Sequence, residues 1–254
     1  MLRTVRVTRY VTPLREGGSL PAIVEADDEG LYVLKFRGAG QGPLALVAEL
    51  ISGEIGRALG LRVPELVFME LDEAIGRNEP DPEIRDLALA SAGLNLGMDF
   101  LPGSSMFDPA AGDRPGSEIA SNAVWFDAFV TNIDRTARNA NLLCWHKQIY
   151  FIDHGASLFF HHNWREVEQM ATRPFGEIRD HILLPWADRL READEKLRPL
   201  LTRAVLERIV KSVPPAWLPG TEFSGPEGYL AYFQQRLLNS NFVEEAVNAR
   251  ALLI

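Results

Sequence analysis

The chain has few of the features that narrow a protein's class at once. A single cysteine, Cys144, stands among 254 residues, which excludes an internal disulfide framework and any multi-cysteine zinc site. It lies in the apolar run 141–145 and reads as a buried thiol. No window holds the roughly 18 apolar residues of a membrane span, and the first ten residues lack the apolar stretch of a signal peptide. A protein with no membrane partner, in a reducing, cytoplasmic compartment, is the expectation. Basic residues are scarce too, with 26 Lys and Arg against 35 Asp and Glu and a formal charge of -9. Nucleic-acid affinity rests largely on Lys and Arg neutralising backbone phosphates, so no direct nucleic-acid partner is expected. Repeats, linkers and low-complexity tracts are missing, which favours two lobes sharing one interface over two independent domains.

What is present is an ordinary globular composition, 46% hydrophobic and 24% charged, with length enough for a sizeable core. The first hundred residues alternate β-like runs with turn signals, giving expected strands at 5–11, 21–26 and 31–37. Apolar residues at helical spacing then predict a helix over 43–59, ended by Gly60. A second strand pair is expected at 65–71 and 94–101, with a helix near 81–92 between them. The segment 103–116 is rich in Gly, Pro, Ser and Asp and marks the boundary. Beyond it, Ser117 is placed to cap a helix reaching about residue 132, and a hairpin pairs 142–145 with 149–152 through a turn at 146–148. Helices are expected over 181–197, 200–213 and 226–251, the last with a break near Asn239.

Chemistry concentrates between that helix and that hairpin. The run Asp134-Arg-Thr-Ala-Arg-Asn-Ala-Asn141 is a polar loop between hydrophobic elements, and loops held by rigid elements are where function gathers. The hairpin leaves through Tyr150-Phe-Ile-Asp-His-Gly155, with a carboxylate where apolar character stops. Phosphoryl transfer needs one carboxylate to orient and deprotonate the attacking hydroxyl, and oxygen ligands for magnesium ions that bridge the phosphates. In protein kinases an Asp and an Asn five residues later share the catalytic loop, and a metal-binding Asp follows a hairpin further on. Here Asn139 follows Asp134 by five residues and Asp153 follows Asn139 by fourteen.

Plainer readings stand beside these. Asp134-Arg135 would also serve as a helix end and Asn139 and Asn141 as turn formers. Gly17-Gly18 alone is an ordinary hairpin turn, and Lys35 alone a solvated strand lysine. Adjacent His161 and His162 point apart and lack an accompanying acid or cysteine cluster, so they read as surface or loop residues.

Taken together, the stretches Glu16-Gly-Gly-Ser-Leu-Pro21, Tyr32-Val-Leu-Lys-Phe36, Ala48-Glu-Leu50, Leu59-Gly-Leu61 with Pro64, the loop 134–141 and Ile152-Asp-His-Gly-Ala156 resemble the HipA-like kinases. The likeness is to members without the long N-terminal extension of the family's toxin. It implies an α+β, bilobal protein-kinase-like fold: an N-lobe antiparallel sheet with one crossing helix over 1–102, and a mostly helical C-lobe over 103–254. It further implies ATP in the cleft with magnesium, and a protein serine or threonine as phosphate acceptor. An antitoxin or neighbour protein is a further partner that the resemblance suggests.

By the same resemblance Gly17, Gly18 and Ser19 form the loop over the phosphates, and Lys35 contacts the α- and β-phosphates. Glu49 pairs with that lysine, with Glu54 on the same helix as the competing acid. Phe100 and Leu101 form the hinge that reads adenine, Asp134 is the catalytic base, and Asn139 and Asp153 are the magnesium ligands. Two departures stand out: the glycine loop is sparse beside a full Gly-x-Gly-x-x-Gly, and His154 replaces the usual Phe after the metal aspartate. A small-molecule kinase of the aminoglycoside-phosphotransferase kind and a nucleotide-binding pseudokinase remain as alternatives on the same fold.

Overall fold

The computed structural model describes residues 2–14, 20–40, 42–77, 79–164, 167–220 and 225–253. Five strands open the chain and close on themselves: β1 (Thr4–Pro13), β2 (Ala22–Ala26), β3 (Leu31–Lys35), β4 (Leu66–Leu71) and β5 (Gly93–Asp99), in the order β1-β2-β3-β5-β4. The expected antiparallel sheet is therefore corrected to a closed barrel with one parallel pairing, Thr4 opposite Phe68 and Arg6 opposite Glu70. The cause lies in β1. Its register slips between Val7 and Arg9 and again between Tyr10 and Thr12, and such bulges bend and twist a strand. The first half of β1 thereby reaches β4 while the second half pairs with β2. Val5, Val7, Val24, Leu34, Val67 and Met69 belong to the apolar cluster of these strands.

Helix α1 (Pro43–Ala58) follows β3, with proline in its first turn where the missing N–H costs nothing. Gly60 adopts φ 81°, and the N–H groups of Gly60 and Leu61 donate to the carbonyls of Arg57 and Gly56 at 3.0 and 2.9 Å, which closes the helix. From Leu46 to Ile51 every residue of α1 is buried, because the helix lies between the barrel and the C-terminal helices. Each fully buried Leu or Ile there contributes about 1.5 to 3 kcal/mol. Between β4 and β5 run α2 (Glu73–Arg77), not anticipated from sequence, and α3 (Pro82–Ala90), whose first turn is capped by Asp81 accepting from the Glu83 N–H at 3.0 Å. Strand β5 stops at Asp99, two residues earlier than expected.

The 103–116 segment is not wholly a loop: β6 (Ser105–Met106) pairs with β7 (Leu142–Trp145), which pairs in turn with β8 (Gln148–Phe151). His146 and Lys147, both at positive φ (48° and 62°), make the tight turn between β7 and β8. Helix α4 (Ser117–Val130) ends at Thr131, whose φ is 53°. Its cap is Gly116; Ser117 is the first helical residue, and its hydroxyl donates to the Asp188 carboxylate instead. Cys144 is half-buried, with Sγ 3.6 Å from Asp113, and burial with that carboxylate pushes its thiol pKa up.

The remainder is helical: α5 (Val167–Thr172), α6 (Leu190–Leu197), α7 (Arg203–Val210), α8 (Pro226–Leu237) and α9 (Asn241–Ala251). The helix expected over 181–197 begins only at Leu190. Pro185 lacks the N–H a helix interior needs, and Leu184–Trp186 forms a 3-10 turn while His181 turns inward. The break near Asn239 falls where expected, with Asn239 Oδ1 accepting from the Asn241 N–H at 3.0 Å. His161 is buried rather than on the surface; its Nδ1 lies 3.0 Å from the Tyr229 hydroxyl, and burial lowers its pKa to about 3. Trp217 ties this part to the barrel, with Nε1 donating to the Leu94 carbonyl at 3.3 Å. Among the described residues no helix is long and apolar enough to cross a membrane.

Candidate active site

A cavity of about 910 Å³ opens between the barrel and the β7–β8 hairpin. Val33, Met98, Leu101 and Ile152 line it with apolar surface, and Lys35, Asn139 and Asp153 bring polar groups to it. Lys35 is the last residue of β3, opposite Leu96 of β5. Its Nζ donates to Glu49 Oε2 at 2.6 Å and to Asp153 Oδ1 at 2.7 Å. The competing acid on α1, Glu54, instead lies 3.3 Å from Arg57. Helical spacing explains the outcome, since the fully buried Glu49 belongs to the inward face of α1 and Glu54 is only half-buried.

Glu49 Oε2 also accepts from the backbone N–H of His154 at 2.7 Å. Burial alone would push this carboxyl up, but the Lys35 ammonium and the His154 side chain hold it at about 2. Burial likewise disfavours the Lys35 charge, and Asp153 and Glu49 more than offset it, so the lysine stays protonated. The His154 ring is wholly buried, 5.6 Å from the Phe126 ring and with Nδ1 3.5 Å from Glu49 Oε1. The ring thus lies between an aromatic side chain of the helix over 117–130 and the Glu49 carboxylate.

The turn after α4 presents Asp134, which is not itself among the residues lining the cavity. Its Oδ2 accepts from Asn139 Nδ2 at 2.7 Å and from Asn141 Nδ2 at 3.2 Å. The loop is braced by its own backbone, with Thr136 N–H donating to the Asp134 and Asn139 carbonyls at 2.9 and 3.0 Å. Burial, followed by the charge of Asp153, raises the Asp134 pKa, while the two amides pull the other way. A raised carboxyl pKa brings a base nearer to neutral working pH.

The donor set fits a hard, oxygen-seeking cation. Asn139 spends its amide nitrogen on Asp134, leaving its side-chain oxygen open, and Asp153 engages Lys35 through one oxygen of a carboxylate that is 49% exposed. Two oxygens of this kind with phosphate and water suit magnesium or manganese. No cluster of three or more His, Cys, Asp or Glu side chains suited to a metal occurs among the described residues.

At the hinge, the Phe100 N–H is taken by the Leu31 carbonyl at 3.0 Å, and the Leu101 carbonyl accepts from the Ser104 N–H and hydroxyl at 3.2 and 2.8 Å. The candidate phosphate loop, Gly17, Gly18 and Ser19, lies outside the described residues; Leu14 and Pro21 on either side of it are joined at 2.7 Å and both line the cavity. Sequence reasoning missed Asn141 as a second donor to Asp134, and it missed the buried pair Arg135 and Asp127, joined at 2.6 Å. A lone acid within the apolar run Trp125-Phe-Asp-Ala-Phe129 was the available signal for the latter.

A small closed sheet bearing a lysine, a helix bearing its acid partner, and an Asp-to-Asn loop followed by a hairpin ending in Asp define a protein-kinase-like fold. The chain belongs to the HipA-like kinase family, whose model matches residues 7–239. The crystal structure of a Helicobacter pylori proinflammatory kinase, CtkA, shares the fold at a TM-score of 0.58, with 13% identity and 99% of each chain covered. Two structures of the Golgi casein kinase, one of them with Mn/ADP bound, align at a TM-score of 0.47 with 9% and 11% identity, covering 98% of this chain and 72% of theirs. No protein of curated function matches the sequence.

Proposed function

We propose that this HipA-like kinase is an ATP- and magnesium-dependent enzyme that transfers the γ-phosphate to a serine or threonine hydroxyl of a protein. One observation carries the reading: Lys35 and Asp153 meet on the wall of a large cavity with Glu49 buried behind them, linked at 2.6 and 2.7 Å, although the three stand on β3, after β8 and on α1. Structural stability gives no reason to bring a lysine and an acid to a cavity wall with a second acid buried behind them, whereas phosphate binding does. Residues 1–102 then form the nucleotide-binding lobe and 103–254 the lobe that carries the base, with the cavity between them. A reducing, cytoplasmic setting suits a chain whose one thiol is unpaired.

In this reading Lys35 contacts the α- and β-phosphates, and Glu49, buried and bonded to the His154 N–H, keeps the ammonium aimed. The Phe100 carbonyl and Leu101 N–H meet the adenine edge, and Gly17, Gly18 and Ser19 close over the phosphates with backbone N–H groups. Asn139 and Asp153 would hold a magnesium ion, whose charge would offset that of the phosphoryl group. Asp134 orients the acceptor hydroxyl and takes its proton, its carboxylate steadied by Asn139 and Asn141.

Incubation with labelled ATP and magnesium, alone and with a cell lysate, tests the reading against Asp134→Ala and Asp153→Asn. Labelling by the wild type and its loss in both variants is the expected result. Equal labelling by all three proteins overturns it.

A further inference from the structure

Arg135 follows the candidate base directly, yet only 1% of its surface is exposed. Its Nε donates to Asp127 Oδ2 at 2.6 Å, and its Nη1 donates both to the carbonyl of Asn141 and, at 3.3 Å, to the carbonyl of Ile152. The Phe151 ring lies 5.4 Å from the guanidinium carbon. Asp127, wholly buried on α4, is held in turn by Asn132 Nδ2 at 2.8 Å and by His181 Nε2 at 2.9 Å. The segment carrying His181 also grips the loop through its backbone, with the Ile182 N–H donating to the Arg135 carbonyl at 3.1 Å.

The two carbonyls that Arg135 reaches have a meaning for the site. Asn141 ends the loop that carries Asn139, and Ile152 immediately precedes Asp153. Asn141 and Asp153 both adopt left-handed conformations, with φ of 48° and 53°. Asn and Asp tolerate that region better than other side chains but still less freely than glycine, so contacts such as those from Arg135 help to hold them there. The Ile152 carbonyl belongs to the very peptide unit about which Asp153 makes its turn. A planar guanidinium presents donors in fixed directions, and one buried among apolar residues finds no water to satisfy them elsewhere.

We infer that Arg135, aimed by Asp127, is the positioning residue that sets Asn139 and Asp153 at their working separation, stapling the loop of the base to the strand end that bears the metal aspartate. It touches neither nucleotide nor acceptor and acts through the two carbonyls. The inference rests on the kinase reading above and adds the part that builds its cation site.

The test compares wild type with the double variant Asp127→Asn/Arg135→Gln, which keeps volume and polarity and removes both charges together, so that neither is left buried alone. Arg135→Lys is the second variant; it keeps the cation against Asp127 but not the planar fork. ADP binding is measured by calorimetry in EDTA and in manganese, and transfer from labelled ATP is measured beside it. Both variants are expected to melt cooperatively and to bind ADP in EDTA as the wild type does. The gain in ADP affinity on adding manganese should fall by about 10- to 100-fold, the scale seen when residues behind metal ligands are lost, and the transfer rate should fall with it. A folded variant that keeps the wild-type manganese gain and rate overturns the inference and leaves the kinase reading intact. If the double variant does not fold, Arg135→Lys decides on the same readouts. A wild type with no manganese gain at all overturns the kinase reading and this inference with it.

Discussion

Lys35 and Glu49 meet in a 2.6 Å ion pair whose carboxylate is wholly buried. Removing the lysine leaves Glu49 charged in the interior with the His154 N–H as its remaining hydrogen-bond donor. Breaking a buried pair from one side is strongly destabilising, so Lys35→Ala should lower stability by about 3 kcal/mol. Lys35→Ala/Glu49→Gln should recover much of that loss while nucleotide binding stays weak. Urea denaturation of the two single variants and the double variant, read as a mutant cycle, measures the coupling.

Acid should loosen the protein through Asp127 and His181. Burial alone would raise the Asp127 carboxyl, but Arg135 and His181 more than offset it and hold it well below the usual range. Burial lowers His181, outweighing the pull of Asp127. Both groups bind protons less readily in the folded chain than in the unfolded one. Their contribution is therefore complete above the ordinary histidine pKa of about 6.5 and drains away as pH falls, first through the histidine range and then below about 4 through the aspartate range. The urea midpoint should drop on going from pH 7 toward 4, and His181→Asn should flatten the upper part of that slope. A midpoint independent of pH in this window counts against the account.

Nucleotide should stabilise the chain more with magnesium than without it. A ligand present at 100 times its Kd raises stability by about 2.7 kcal/mol, which thermal melting detects readily. In Asp153→Asn the increment from magnesium should vanish while that from nucleotide alone remains. The apo variant itself should lie within about 1 kcal/mol of wild type, because the Asp153 side chain is half exposed.

Two glycines should respond in opposite ways. A methyl group on Gly155, next to the His154 position, would meet the Ala45 carbonyl oxygen at 3.6 Å and Asp153 Oδ1 at 3.7 Å, ordinary contact distances. Gly155→Ala should stay within about 0.5 kcal/mol of wild type and keep its nucleotide affinity. On Gly97 of β5 the same methyl would sit 2.3 Å from Met69 Sδ and 3.1 Å from Val67 Cγ2. Gly97→Ala should cost about 1 to 3 kcal/mol as the barrel interior is overpacked.

Much of the candidate site could be read from the chain because its spacing is local. Asp134 and Asn139 share one braced loop, and Asp153 follows a short hairpin whose register is set by a tight turn. Periodicity likewise placed α1, α4 and most strands within a few residues, since the apolar stripe of an element is written along its own length. Closure of the barrel was not legible, because alternation says which side of a strand is apolar and nothing of the two slips that bend β1 toward β4. The 181–189 segment misled for a related reason: its apolar residues fit helical spacing, while Pro185 and the inward turn of His181 hold it to short turns.

The choice of Glu49 over Glu54, and the burial of Arg135 against Asp127, were settled by packing between elements far apart in sequence. A charged side chain on paper is most simply a surface group. Whether it is instead driven inside depends on a partner brought by another element, here Lys35 from β3 for Glu49 and Asp127 from α4 for Arg135. Local order in the chain thus determined which residues stand as candidates for the chemistry, and long-range burial determined which charges lie behind them.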